Sequence, residues 1–273
     1  MWAMGALIHV TAWERKSLWR RLICAFTRVA ALLMVFTIGI ALLGPPIAIF
    51  LRMRWEAKNF PAVTITARPL EDYSVSEAPG TSLTFFGYSF EVPWTGPFKT
   101  KGVKGLNHRK SGVMGIMFDS GRDLIFIAPA NQNGFFNEIV QDPSLHMANW
   151  KGAFGDLANR SAYDQYSALL NISPSAIRPF GPIADAARGQ TLLTIKAISL
   201  PGSLATGAFS FEFSDKRGFQ IGDPRKSRNV SLEVFTSDGH WVEIICTTNK
   251  RAQGLSQPEL NRILKTVHSL PSA

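Results

Sequence analysis

The chain has 273 residues, of which 46% are hydrophobic and 18% are charged, and this composition excludes an intrinsically disordered protein. Residues 1–58 contain eight basic and two acidic residues, whereas residues 59–273 contain 21 basic and 18 acidic residues, so most of the net charge of +9 lies near the N-terminus. The larger part of the chain carries no basic cluster or motif of a nucleic-acid-binding protein, and we expect no nucleic-acid partner.

An uncharged, mostly apolar run from Val29 to Leu51 is the most distinctive feature of the sequence. It contains 23 residues, compared with the roughly 20 that a helix needs to cross the hydrocarbon core of a bilayer. Between residue 22 and this run, the only charged residue is Arg28. We therefore predict a transmembrane helix within residues 22–51. It is expected to stay attached as a signal anchor, because the run is longer than the apolar region of a cleavable signal peptide.

The motif Gly44-Pro45-Pro46 lies inside this run, and its prolines require the helix to kink or to end there. Two registers remain open. Either residues 22–43 cross the membrane, with Arg28 reaching back to the interface, or residues 29–51 cross it as a kinked helix. The short basic tail at residues 1–21 is typical of a signal sequence, which favours a cytoplasmic N-terminus and a large domain outside the cytoplasm.

The remaining chain divides into a linker and one domain. Residues 52–81 contain Pro61, Pro69 and Pro79, which predict an extended stalk with an edge strand at Val63–Thr66. The folded domain is expected to occupy residues 82–273.

Apolar patterning predicts strands at both ends of this domain and helices between them. Several strands are apolar on both faces, so helices should cover both sides of the sheet. The expected fold is α+β, an antiparallel sheet in a three-layer α/β/α sandwich that follows one transmembrane helix. The predicted strands are 83–92, 113–118, 124–128, 208–213, 218–221, 230–237 and 240–247. The predicted helices begin at Asp142, Ser161, Ser173, Ile183 and Ser256.

The pair Asp238-Gly239 predicts a two-residue type I′ hairpin, which would place Val234 opposite Glu243. Glu243 would then lie among apolar side chains, where burial raises a carboxyl pKa into the range of a general acid. With His240 nearby, Glu243 is the candidate catalytic residue. A strand-end glutamate bound to a basic partner explains the same pattern.

Other chemical signals are few. The five histidines share no metal-binding spacing and the chain contains no glycine-rich phosphate loop, so we predict neither a metal nor a cofactor. Cys246, in an apolar strand, is expected to be an inert buried thiol. A group of basic residues could contact anionic headgroups, although a solvated loop facing Asp215 and Asp223 gives the same pattern. The group consists of Lys216, Arg217, Arg225, Lys226 and Arg228.

The segment Phe85–Pro93, with the sequence FFGYSFEVP, is followed by predicted strands, then helices, then a set of antiparallel strands and a C-terminal helix. This order resembles the PsbP-like α/β/α sandwich family, which includes extrinsic photosystem subunits and bacterial envelope lipoproteins. The resemblance covers parts of residues 83–128 and 208–268. It implies a binding or assembly module and supplies no catalytic residues.

These observations favour a single-pass membrane protein whose domain is a non-catalytic interaction or assembly module. Its expected partners are the bilayer, through residues 22–51, and a membrane-associated protein. One alternative is an anchored hydrolase that uses Glu243 and His240. The other is a carrier of an apolar ligand held between the sheet and the helices of residues 144–200, in a pocket lined by Met147, Trp150, Phe154, Tyr163 and Tyr166.

Overall fold

The computed structural model describes residues 12–102, 112–129, 155–178, 180 and 182–270, and over these residues the protein is α+β. The α-helices are α1 (Ala12–Asn59), α2 (Ala162–Asn171), α3 (Ile183–Ser199) and α4 (Gln257–Thr266). The first strands are β1 (Arg68–Pro69), β2 (Thr81–Phe85), β3 (Tyr88–Val92), β4 (Phe98–Gly102), β5 (Gly112–Phe118) and β6 (Arg122–Ala128). The later strands are β7 (Ala208–Glu212), β8 (Lys216–Ile221), β9 (Asn229–Thr236), β10 (Trp241–Thr248) and β11 (His268–Ser269).

The strands form two sheets. The larger sheet has the order β1-β7-β8-β9-β10-β6-β5-β4, and the smaller one has the order β11-β3-β2. All neighbouring strands are antiparallel except β1 and β7, which are parallel. The larger sheet is therefore mixed rather than purely antiparallel as predicted, because β1 reaches the edge from the segment that precedes the domain.

Side chains of β9 alternate between two apolar clusters, because successive residues of a strand point to opposite faces. Val230, Leu232 and Val234 belong to a cluster that also contains residues of α4 and of the β2–β3 hairpin. Phe235 belongs to a second cluster, with residues of α2 and α3. Both faces of the central strands are thus buried.

Helix α1 continues through Pro45 and Pro46 to Asn59, which excludes the alternative in which it ends at the prolines. Within it, Ala31–Asn59 is long and apolar enough to cross a membrane, and an 18-residue window of this range has a mean hydropathy of 2.3. Near its C-terminal end, Met53 is only 2% exposed and packs against α3 in a third cluster.

The segment predicted to be a stalk packs against the domain. Val63 and Leu70 are buried, and the Asn261 side chain donates hydrogen bonds to the carbonyl oxygens of Asp72 (2.8 Å) and Ser74 (2.7 Å). The predicted edge strand at Val63–Thr66 is wrong. A 3₁₀ helix occupies Pro61–Thr64, because Pro61 favours a helical first turn, and the edge strand lies at Arg68–Pro69 instead.

Local sequence signals located three helices correctly, two of them by their capping residues. Ser161 caps α2 by accepting a hydrogen bond from the Asp164 amide, and Ser256 with Glu259 forms the predicted capping box of α4. The predicted helix at Ile183 is α3. The Ser173-Pro174 signal gives only a 3₁₀ turn at Pro174–Ala176, and the helix predicted from Asp142 lies outside the described residues.

The β9–β10 hairpin differs from its prediction. The Gly239 amide donates to the Thr236 carbonyl (3.0 Å), and the Thr236 amide donates to the His240 carbonyl (2.9 Å), so the loop has three residues rather than two. Asp238 stabilises this loop by accepting hydrogen bonds from the Thr236 hydroxyl and from the His240 amide. The predicted type I′ turn is wrong, and the pairing shifts by one residue, placing Glu243 opposite Glu233.

Gly239 has a φ of +85°, and no atom lies within 4 Å of the position where a Cβ would be placed. Gly239→Ala is therefore expected to destabilise the protein by about 1 kcal/mol, through backbone strain alone. Gly239→Asn is the matched control and should cost less, since asparagine tolerates this conformation. Urea unfolding of the full chain in detergent measures both, and equal losses would contradict the left-handed conformation of Gly239.

Candidate functional site

The shifted register brings two glutamates, Glu233 of β9 and Glu243 of β10, directly opposite each other. Glu233 is 2% exposed and Glu243 is half-buried. Both point to the face of the sheet that α2 covers, since Val234 and Val242 occupy the other face. Like charges at directly opposed positions repel, so this pair needs compensating contacts.

Three polar side chains supply those contacts. The Tyr166 hydroxyl donates to one oxygen of Glu233 (3.1 Å), and the Trp241 indole donates to the other (2.9 Å). The Ser231 hydroxyl donates to Glu243 (2.9 Å) and lies 3.4 Å from Glu233. We call these five residues the carboxyl cluster. Its hydrogen bonds join α2 to the two central strands.

Burial is the main cause of the altered acidity in the carboxyl cluster. It raises the pKa of Glu233 well above its usual value, and repulsion from Glu243 acts in the same direction. Burial also raises the pKa of Glu243, opposed by hydrogen bonds from Ser231 and Glu233. Because the two groups interact directly, they titrate as a pair whose last proton is held well above the usual carboxyl range.

His240, the second candidate catalytic residue, lies at the exposed end of the hairpin. Its Nδ1 atom is 3.5 Å from an oxygen of Asp238, and its ring is 6.2 Å from that of Tyr88, which belongs to the cluster on the opposite face. Glu243 instead contacts Ser231 and Glu233. The structure therefore does not bring the two candidates together, whereas an acid and a base must both reach one substrate.

Lys216 does not lie at the surface as predicted. It is 5% exposed, and its Nζ atom donates to the carbonyl oxygens of Lys265 (3.1 Å) and Val267 (2.5 Å) at the C-terminal end of α4. Asp215 lies 3.2 Å away. The cation is held there because the last carbonyls of a helix are unpaired and carry partial negative charge.

The other four basic residues of the predicted membrane contact are exposed, and each has a partner. The Arg217 guanidinium lies 3.8 Å from the centre of the Tyr163 ring. Arg225 and Lys226 lie 3.1 and 3.7 Å from Asp223, as the solvated-loop alternative predicts. Arg228 donates to the carbonyl oxygen of Asn249 (2.5 Å).

An open cavity of about 400 Å³ lies between the start of α2 and strands β7, β8 and β9, and His240 of the β9–β10 hairpin also lines it. Tyr163 and Phe235 form apolar parts of its lining, and Glu212, Asp215 and Arg217 contribute charges of both signs. We call it the α2 groove. Of the residues predicted to line a carrier pocket, Tyr163 lines the groove and Tyr166 is in the core. The other three, Met147, Trp150 and Phe154, lie outside the described residues.

Cys246 is fully buried, as predicted, and burial raises the pKa of its thiol. Within the described part of the chain, no group of three or more His, Cys, Asp or Glu side chains could hold a metal ion.

Sequence reasoning missed Lys196, which is 1% exposed on α3. Its Nζ atom donates to the carbonyl oxygens of Ile65 (2.5 Å), Leu170 (2.7 Å) and Ile172 (2.7 Å), and burial lowers its pKa to about 8. It thus joins the C-terminal end of α2 to the segment that follows α1. The available signal was a single lysine within an otherwise uncharged stretch, residues 189–200.

Comparisons of the chain with protein-family models, with curated proteins and with solved structures gave no match. The resemblance to the PsbP-like family therefore stays a prediction.

Proposed function

We propose that this protein is a single-pass membrane protein whose domain is a non-catalytic interaction or assembly module. The N-terminus is cytoplasmic and the domain lies outside the cytoplasm. The observation that carries the proposal is the exposure of the apolar side chains of α1. Its apolar side chains are exposed, with Leu32 at 69% and Val35 at 68%, whereas Met53 in the same helix is packed in the domain. Water-exposed apolar helices of this length are costly, and a bilayer removes the cost.

The arrangement around Glu243 supports a non-catalytic role. Its carboxyl group interacts with Glu233 and Ser231, and these contacts link strands and helix rather than opening to a cleft shared with His240. A buried hydrogen-bonded carboxyl pair of this kind specifies packing, as buried polar networks do in other proteins.

We further propose the finer fold description, a three-layer α/β/α sandwich similar to PsbP-like proteins. It is supported by the two clusters on opposite faces of the central strands, one containing α4 and the other α2 and α3. The inference of a binding role from this fold rests on analogy alone.

The interaction surface that we assign to a membrane-associated protein partner is the α2 groove. Tyr163 and Phe235 give it apolar area, and Arg217 stacked on Tyr163 gives it a cation, a combination that is enriched in protein interfaces. The carrier alternative is kept because the volume of about 400 Å³ exceeds the ~300 Å³ of small ligand pockets.

A photo-crosslinking residue in place of the groove residue Glu212 is expected to give one discrete adduct in native membranes. Arg217→Glu should reduce its yield about tenfold, since reversal of an interfacial charge costs about 1.4 kcal/mol or more. The matched control is Arg228→Glu, outside the groove. A protein adduct supports the module and a lipid adduct supports the carrier, whereas equal losses in both variants would refute the groove as the binding surface.

A further inference from the structure

Helix α3 runs alongside the end of α1 in the same direction. Near the C-terminal end of α3, Lys196 binds the carbonyl oxygen of Ile65, and Ile198 lines a cavity together with Phe60. Nearer its N-terminal end, Ala186 shares a cluster with Ile49 and Phe50 of α1. The C-terminal end of α3 is therefore beside the end of α1, and its N-terminal end lies back towards the apolar span.

The rise per residue of the two helices gives the position along α1 that lies beside the start of α3. Ile183 precedes Lys196 by about 20 Å along the helix axis, at 1.5 Å per residue. Ile198 and Phe60 line one cavity, so with the two helices side by side the same distance back along α1 from the level of Lys196 ends near Pro46. The start of α3 is thus level with the last turns of the uncharged run that ends at Leu51.

The side chains at this end of α3 are exposed and apolar, with basic neighbours. Phe180 is 71% exposed and Ile183 is 53% exposed, and Pro182 between them in sequence is also exposed. Arg178 and Arg188 are exposed on either side of this apolar group along the chain, and the acidic Asp185 is exposed between the group and Arg188. Aromatic and aliphatic side chains flanked by cations are the composition that binds the headgroup region of anionic bilayers.

We propose that these residues, Arg178, Phe180, Pro182 and Ile183, form a second membrane contact, the α3 tip, which inserts into the headgroup region of an anionic bilayer. The inference rests on the proposed membrane anchor and deepens it.

The same orientation places the loop of Arg225 and Lys226 away from the bilayer. The Asp223 amide of that loop donates to the Thr206 hydroxyl, and Thr206 follows the C-terminal end of α3, which is the end farther from the membrane. A residue of this loop therefore serves as a control.

The test attaches nitroxide labels to the full chain in nanodiscs of phosphatidylcholine and anionic phosphatidylglycerol. Single cysteines replace Phe180, Ile38 of α1 or the exposed Lys226, in a Cys24→Ser background where Cys246 stays buried. Collision rates with oxygen, which dissolves in lipid, and with a water-soluble nickel complex measure depth. We expect labels at Ile38 and Phe180 to shift towards oxygen access, and the label at Lys226 to keep nickel access.

The outcomes separate the two proposals. Lipid access at Ile38 with water access at Phe180 would overturn the α3 tip and leave the anchor intact. Water access at Ile38 would overturn the anchor and, with it, the α3 tip. If Lys226 rather than Phe180 showed lipid access, the domain would be oriented the other way, which would also overturn the proposal.

Discussion

Replacement of Lys196 by methionine is expected to lower the free energy of unfolding by about 2–4 kcal/mol. Methionine fills a similar volume but leaves the carbonyl oxygens of Ile65, Leu170 and Ile172 without the donor that they share. The measurement is urea unfolding of the full chain in detergent at pH 7. Lys226→Met removes an exposed lysine, with a side chain 64% exposed, and should change stability little.

The pH dependence gives a second test of Lys196. Its pKa in the folded protein is about 8, compared with 10.5 for the free side chain. Between these values the unfolded chain binds more protons than the folded one, so the contribution of Lys196 to stability should increase as the pH rises from about 8 to 10.5. Lys196→Met should lack this increase. A variant that loses under 1 kcal/mol, about the ordinary effect of a substitution, and keeps the increase would show that Lys196 is not the buried cation described.

Glu243→Gln changes the free energy of unfolding, and we expect this change to be more favourable at pH 8 than at pH 5 by about 1–3 kcal/mol. The glutamine amide can donate to Glu233 while its oxygen accepts from Ser231, so the hydrogen bonds survive without the second carboxyl group. The effect follows from the carboxyl pair, because burial raises the pKa of both groups.

The sign of this pH dependence is fixed by linkage. A carboxyl group whose pKa is raised in the folded state contributes its full stabilisation at pH values below its pKa in the unfolded chain, about 4.3. That stability is lost as the pH rises through the folded value. The wild-type protein should therefore weaken above pH 5 and Glu243→Gln should weaken less. Glu212→Gln, at an exposed position of β7, is the control. Parallel pH profiles for wild type and Glu243→Gln would exclude the coupled pair.

The carboxyl cluster shows why the sequence located half of this site. Glu243 stands out in the sequence because it lies in an apolar strand. Glu233 lies in an equally apolar strand, but a two-residue loop would pair it with Ile244, whereas the three-residue loop pairs it with Glu243. A one-residue change in loop length exchanges every cross-strand partner. The type I′ assignment used only Asp238-Gly239, whereas the longer loop is held by Thr236 and His240 on either side of it.

Lys216 and Lys196 show a different limit of sequence reasoning. The sequence predicts Lys216 at the surface and does not single out Lys196, yet both are buried and donate to carbonyl oxygens at a helix C-terminus. The carbonyls that receive Lys216 are 49 and 51 residues away in the chain, and Ile65 is 131 residues from Lys196. A charged side chain is stable in a core only where such distant groups converge on it.

The sequence by itself determined the features that depend on neighbouring residues. These are the apolar helix, the capped starts of α2 and α4, the start of α3, most strands and the α+β class, since periodicity and capping act within a few residues. Tertiary structure decided the parallel edge strand, the packing of residues 61–80 on the domain, the pairing of Glu233 with Glu243 and the burial of two lysines. Each of these depends on which distant surfaces meet, and the free energy of such contacts comes from burial and shared hydrogen bonds that local patterns do not contain.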